Sequence, residues 1–299
     1  MDNARGVLEK LKKNSILATD VASQFWCELQ MELNYVHGKE YNKAMAGGAK
    51  IHKELQDEIA TTIEVEPLSY ADFLYKEAYE NYLALRSLNE KGVGREIKVY
   101  GSINGFKVSG KIDELRREGG RTVIVETKTK SLNGKLNQGG NGVQQISEST
   151  MRTHKVQVML YKKLLDDLQS RSYTYQNFYN AYGIKNMKLS DKFVAQLDLL
   201  GIDQKVRSFD SVYAMMFEQL YAAPQVSEKL VLSYVDRYTG NEFATVNIEY
   251  NKADFEKILV DAMGYWLGSR AARPVEKEES WKCNFCRFYG KECKVWWSG

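Results

Sequence analysis

"GKIDELRREGGRTVIVETKTK", residues Gly110–Lys130, decides how this sequence is read. Gly119-Gly120 suits the two-residue turn of a hairpin, because both positions tolerate positive φ. With that turn Glu118 faces Arg121, and five pairs further back Asp113 faces Glu126. Directly opposed residues share a face, with Cβ atoms about 4.5–5.5 Å apart. Lys128, two residues beyond Glu126, emerges on that face, whereas Ile112, Val123 and Val125 point the other way, into a core. Opposed carboxylates destabilise a sheet unless something neutralises them. A hard divalent cation such as Mg²⁺ or Mn²⁺ does so, since it prefers oxygen ligands. Lys128 is then placed to orient or deprotonate a water, or to stabilise charge developing on a phosphate. The plain alternative is a solvated Asp/Glu/Lys face with an ordinary salt bridge.

Further residues belong with this hairpin. In "HKVQVMLYKKL" the spacing puts His154, Gln157 and Tyr161 on one helix face, and Val156, Leu160 and Leu164 on a separate apolar stripe. A Gln and a Tyr so placed can contact a phosphate and stack on a base, or form a half-buried helix edge. His52, in "GGAKIHKE", is one of three histidines and reads as a ligand or as a structural residue.

Around these residues the elements alternate. Helical spacing runs from N-cap candidates Thr19 and Asp20 through Val21, Phe25, Leu29 and Leu33. A second helix follows a Gly47-Gly48 hinge, and a third carries Phe73, Ala78, Tyr82 and Leu85 near one stripe. Asn104-Gly105 turns another hairpin. Residues 131–150 are rich in Gly, Asn, Gln and Ser, a loop that reads as a lid, a substrate guide or a tolerated insertion. A helix from Met151, an aromatic helical stretch over 172–226, a hairpin turning at 239–241 and a last helix complete a mixed α/β, or α+β, order.

The tail "WKCNFCRFYGKECKVWW" spaces Cys283, Cys286 and Cys293 as C-x2-C-x6-C. A closed sulfur site needs four ligands, and the chain has four cysteines, so Cys27 is the remaining candidate. Core thiols and disulfides are the other readings, though a chain of 299 residues buries a core without staples. The spacing accepts zinc as well as iron. "MDNARGVLEKLKKNS" has no run of signal-peptide length and no stretch long enough to span a membrane follows, so the chain reads as soluble and intracellular. That means cytoplasmic in a prokaryote and nuclear in a eukaryote. A net charge of +3 and a pI near 8.4 do not announce a nucleic-acid binder by themselves.

Taken in order, G-x3-H (Gly48 to His52), I-D-E (Ile112 to Glu114), E-x-K (Glu126 to Lys128) and Q-x3-Y (Gln157 to Tyr161) resemble the RecB-like branch of the PD-(D/E)xK nucleases. With the cysteine bracket, "TDVASQFWCELQ" and "VQVMLYKKLL", the chain resembles the exonuclease V family from about Leu17 to Trp297. The resemblance implies one restriction-endonuclease-like domain over 1–299. Its core would span about 17–170 and 228–270, with a helical insertion over 172–226. A segment at 274–297 would join the N-terminal part through a 4Fe–4S cluster on Cys27, Cys283, Cys286 and Cys293. It further implies that Asp113, Glu126, the Thr127 carbonyl and His52 hold Mg²⁺ or Mn²⁺, that Lys128 positions the water, and that Gln157 and Tyr161 steady the strand. Lys130, Arg152 and His154 would add backbone contacts. Single-stranded DNA, threaded from a free end during repair or replication, is the implied substrate. A single-strand-binding protein is a possible partner and the chain a monomer. Two features depart from the pattern: Gln56 stands where many relatives have Glu, with Glu54 and Glu58 close by, and the 131–150 loop fits no family element. A CRISPR-adaptation nuclease of the same superfamily is the rival enzyme. A zinc-stapled, non-catalytic DNA-binding module is the rival from another class.

Overall fold

The computed structural model describes residues 2–40, 43–57, 59, 62–131, 143 and 146–295. It opens with α1 (Asp2–Lys10), β1 (Ile16–Leu17), α2 (Ala18–His37), α3 (Lys43–Asp57) and α4 (Tyr70–Lys91). Strands β2 (Val93–Ile103), β3 (Phe106–Glu118) and β4 (Arg121–Lys130) follow. Helices α5 (Glu148–Gln169), α6 (Tyr175–Tyr182), α7 (Asp191–Leu199) and α8 (Phe209–Ala222) lead to β5 (Lys229–Asp236), β6 (Glu242–Glu249) and α9 (Lys252–Trp266). Residues 132–142 and 144–145, most of the polar loop, lie outside the described residues, as do Glu58 and the last four residues of the tail.

Both glycine turns form. Asn104 and Gly105 take φ 50° and 82°, Gly119 and Gly120 take 54° and 77°, and the flanking pairs are Ile103↔Phe106 and Glu118↔Arg121. From Glu118↔Arg121 the register runs back as expected to Glu114↔Val125 and stops. The next step would oppose Asp113 and Glu126, and like charges opposite one another destabilise a ladder. There β4 leaves β3 and pairs in parallel with β5, from Val125↔Val231 to Lys130↔Asp236. Parallel neighbours need a long crossover, which α5 to α8 supply. The other edge of β3 holds β2, while β1 lies parallel to it at Ile16↔Val108 and Leu17↔Ser109. Residues 110–113 of β3 thus face a gap between β1 and β4. The sheet is mixed, in the order β1-β3-β4-β5-β6 with β2 on β3.

Helix α5 packs across β2 to β5, its stripe Val156, Leu160 and Leu164 fully buried. Two glycines let it approach. A Cβ at Gly101 would lie 2.5 Å from Leu164 Cδ2, and one at Gly110 would lie 2.4 Å from Tyr161 Cε1. Leu115, Ile124 and Ile112 join the main core, whereas Val123 and Val125 form a small separate cluster with Val231. The stretch 172–226 shares the main core: Phe178 packs on Tyr100, with ring centroids 4.6 Å apart, and α8 packs on α4.

Three local expectations change. Gly47-Gly48 lies inside α3 rather than forming a hinge, because a Cβ at Gly48 would come within 2.9 Å of Thr129 Oγ1 and the bare backbone seats the helix on β4. Asp20 sits inside α2, its carboxylate accepting from the Leu17 N–H at 2.8 Å. Phe73 leaves the buried stripe of α4, which runs through Leu74, Tyr75, Ala78 and Leu85 instead, and stands 48% exposed. Among the described residues no helix is long and apolar enough to cross a membrane.

Candidate active site

The parting of β3 and β4 creates the site. Glu126 is buried at 2% exposure on β4, because β4 continues on β5 and α5 closes over it. Its Oε1 accepts from Lys128 Nζ at 2.8 Å and from Gln157 Nε2 at 2.7 Å. Its Oε2 is buried with no hydrogen-bond partner among the described residues. Asp113 turns its Oδ2 to the Thr127 N–H at 2.8 Å, which stands in for the lost ladder pair. Burial raises both carboxyls, Glu126 to about 8 and Asp113 to about 6; the Asp113 charge adds to the rise at Glu126, while the Lys128 ammonium opposes both. A carboxyl with an orphaned buried oxygen beside a second carboxylate is held against its preference for water.

Lys128 is fixed from two sides, also donating to Gln157 Oε1 at 2.8 Å. Gln157 in turn donates to the Tyr161 hydroxyl at 2.8 Å, so α5 contributes a rigid relay behind the carboxylates. Tyr161 is only 2% exposed and its ring lies over Gly110. It therefore offers no open face for a base, and the stacking expected of it does not fit; its part is to position Gln157. Tyr100 on β2 is likewise buried and donates to Glu77 at 2.6 Å. Gly110→Ala is expected to push Tyr161 aside, destabilising the fold by about 1–3 kcal/mol in chemical denaturation. Cleavage should fall more steeply than stability, and an unchanged rate would show that Tyr161 is not needed in place.

His52 comes from α3, its Nδ1 3.5 Å from Asp113 Oδ1 and 3.9 Å from Glu96 Oε1. Burial lowers its pKa, favouring the neutral imidazole that ligates metals. Glu96 is the residue that sequence reasoning missed. It takes φ +56° on β2, and the β2–β3 ladder passes from Arg95↔Glu114 to Ile97↔Ile112, skipping Glu96 and Asp113. The ligand atoms of His52, Glu96 and Asp113 lie within 4.8 Å of one another. A non-glycine residue at positive φ leaves no mark on the chain that pattern reading detects. Glu96 also pairs with Lys111. One imidazole and three carboxylates, one of them Glu126 with its orphaned oxygen, make a donor set that fits a hard divalent cation.

The three further basic positions separate. Lys130 ends β4. Arg152 is engaged by both Glu279 carboxylate oxygens at 2.8 Å. His154 lies 3.0 Å from the Tyr234 hydroxyl, and burial, with Lys128 and Lys130 nearby, lowers its pKa to about 3. A neutral imidazole is a poor phosphate partner.

Cys27, Cys283, Cys286 and Cys293 line one small cavity between α2 and the tail. Helix α2 breaks at Cys27 (φ −166°, ψ 113°), and Cys27 Sγ accepts the Gln30 N–H at 3.4 Å. Burial raises the Cys27 thiol, and Cys286 and Cys283 add to it. Four thiols converging on one cavity fit a metal whose positive charge offsets the thiolates. Lys282, buried at 2% exposure, donates to the Trp26 carbonyl at 3.0 Å and to Glu279 at 2.7 Å. Arg152, Glu279 and Lys282 thereby link α5, the tail and α2.

A family model described as "Exonuclease V - a 5' deoxyribonuclease" matches residues 7–141, 116–217 and 202–297. Exonuclease V of Danio rerio is 25% identical over 305 residues, covering 96% of this chain and 72% of that protein. The crystal structure of SSO0001 superposes with a TM-score of 0.42 at 14% identity, over 97% of this chain and 94% of that one. The chain belongs to the exonuclease V family and is an exodeoxyribonuclease, a hydrolase acting on DNA.

Proposed function

We propose that the chain is a divalent-metal-dependent exonuclease of single-stranded DNA. It would cut phosphodiesters from the 5′ end, as the family description has it, in repair or replication. The observation that carries this is the buried Glu126 Oε2, without a hydrogen-bond partner among the described residues and next to Asp113, which itself belongs to the His52, Glu96 and Asp113 group. Those four side chains, with the Thr127 carbonyl, would hold Mg²⁺ or Mn²⁺. When bound, the ion supplies charge neutralisation and Lewis-acid activation of water. Lys128, clamped by Glu126 and Gln157, holds an ammonium ready to orient the attacking water or donate to a phosphate oxygen. Gln157 and Tyr161 keep Lys128 and Glu126 in register, and burial keeps bulk water from screening them.

The β3–β4 fork with α3 and α5 around it supports a RecB-like nuclease core within one domain. Four convergent thiols, together with the family resemblance, support a 4Fe–4S cluster as the staple between α2 and the tail. One chain carries every group named, which suits a monomer, with a single-strand-binding protein as a partner that delivers DNA. An intracellular setting suits a DNA substrate and thiols kept for metal.

The test is digestion of 5′- and 3′-labelled linear single strands, a circular single strand and a duplex, with Mg²⁺ or Mn²⁺ and with EDTA. Linear single strands should be degraded with early release of the 5′ label, circles should survive, and EDTA should stop the reaction. Equal cutting of circles would overturn the exonuclease reading, and preference for duplex the single-strand reading.

A further inference from the structure

The active-site cavity, about 750 Å³, extends well past the carboxylates. From His52, Asp113 and Glu126 it runs along α4 to Phe73, Pro67 and Leu17. Phe73, Lys76, Glu77 and Glu80 recur at helical spacing and so share one face of α4. At about 1.5 Å per residue, Phe73 lies about 10 Å along that helix from Glu80. The cavity thus has a charged inner end and an apolar outer end. At the outer end Phe73 is 48% exposed and Leu17 39%; Tyr70, one turn from Phe73, is 58% exposed and Leu68 52%. Neighbouring tyrosines of α4 meet one another, Tyr75 stacked on Tyr79 and Tyr79 tilted against Tyr82, whereas Phe73 enters no ring contact among the described residues. An aromatic held out of the core at the mouth of a charged cleft has its face open to a ligand. Clefts of about 300–1,000 Å³ hold one drug-sized molecule, so this one takes about one or two nucleotides of a single strand.

We propose that Phe73, flanked by Leu17 and Pro67, is a stacking subsite for an unpaired nucleobase of the strand whose phosphodiester lies at Asp113 and Glu126. The inference rests on the single-strand reading above and assigns it a residue. Every base presents a π-face, so the subsite grips without sequence preference. A base inside a duplex has both faces covered by its stacked neighbours and cannot stack on Phe73. Lys76 and Lys98 lie on the same cavity wall, where Lys76 donates to the Val65 carbonyl at 3.1 Å and Lys98 to Glu77 at 2.7 Å.

The test uses the full chain with linear oligothymidylate, binding read by fluorescence anisotropy in Ca²⁺ and cleavage in Mg²⁺. Phe73→Ala should weaken binding about 5- to 150-fold, the range of one lost aromatic–base stack. Phe73→Trp should bind as wild type, and Phe73→Leu should behave as Ala if stacking rather than apolar contact is at work. Moving a single abasic nucleotide along the strand should reveal one position where wild type loses a similar factor and Phe73→Ala loses nothing further. Melting temperatures should be unchanged, since the side chain is half exposed. Equal affinity in wild type and Phe73→Ala, full affinity in Phe73→Leu, or an abasic penalty persisting in Phe73→Ala would overturn the subsite. If wild type neither binds nor cuts linear single strands, the substrate reading falls and the subsite with it; normal wild-type activity with an indifferent Phe73 removes the subsite alone.

Discussion

Replacing Glu126 with Gln is expected to abolish cleavage and, in the same protein, to raise the melting temperature of the metal-free form at pH 8. The two effects share one cause. Burial, with Asp113 close by, raises the Glu126 carboxyl to about 8 in the folded chain, against 4.5 as its ordinary value. The folded state therefore binds a proton more tightly than the unfolded state. The stability this contributes is fully present below the unfolded pKa and is lost as pH climbs through the folded one. Asp113, raised to about 6, adds to the loss in the lower part of that window. Metal-free protein should thus melt at progressively lower temperature between about pH 5 and pH 8, and a divalent cation should restore it, more effectively at higher pH. The amide of Glu126→Gln would keep an acceptor for Lys128 but carries no charge to bury, so the variant's melting temperature should vary less with pH. Losing a carboxylate ligand should cost at least about 100-fold in single-turnover cleavage. Affinity for single-stranded DNA should hold or rise, since the site becomes less negative. Near wild-type cleavage, or a steeper pH dependence in Glu126→Gln, would remove Glu126 from the metal site.

Cys27→Ser should lose the metal even though Cys27 lies 256 positions before Cys283. Anaerobically purified wild-type protein should be brown, with broad absorption near ~400 nm and about four irons per chain if the thiols hold 4Fe–4S. In the variant both signals should vanish, because the break in α2 that aims Cys27 at the tail cannot supply a fourth thiolate. Structural metal binding is folding free energy, so the melting temperature should drop by about 5 °C or more. The tail will not detach altogether. The Leu29 N–H donates to the Arg273 carbonyl at 3.0 Å, Lys282 holds the Trp26 carbonyl, and Arg287 pairs with Glu40 at 2.6 Å. Cleavage should also fall, since Glu279 ties the same tail to Arg152 on the helix that carries Gln157 and Tyr161. Full iron content with unchanged melting in Cys27→Ser would make Cys27 a core thiol and leave the metal site without its fourth ligand.

Turn chemistry and periodicity act over a few residues, and what they decide was legible in the sequence. Gly119-Gly120 set the register that aligns Asp113 with Glu126, the spacing in α5 put Gln157 and Tyr161 together over a buried stripe, and the count of four cysteines left Cys27 as the candidate to join the tail. What happens at the aligned position was not legible. Whether two opposed carboxylates remain a ladder pair or part depends on β5 being available to take β4 over, and β5 is about a hundred residues downstream. Glu96 enters the site because the β2–β3 ladder skips it and its backbone there is left-handed, a choice made by the pairing of whole strands. Tyr161 is buried and Phe73 exposed against the expectation for each, since helical spacing tells which residues share a face but not what covers that face. Local sequence therefore determined the hairpin strands, their turns and the reactive groups other than Glu96. Only the tertiary structure decided which carboxylate is buried, which aromatic stays open and where the sheet splits, because burial is a property of neighbours that lie far apart along the chain.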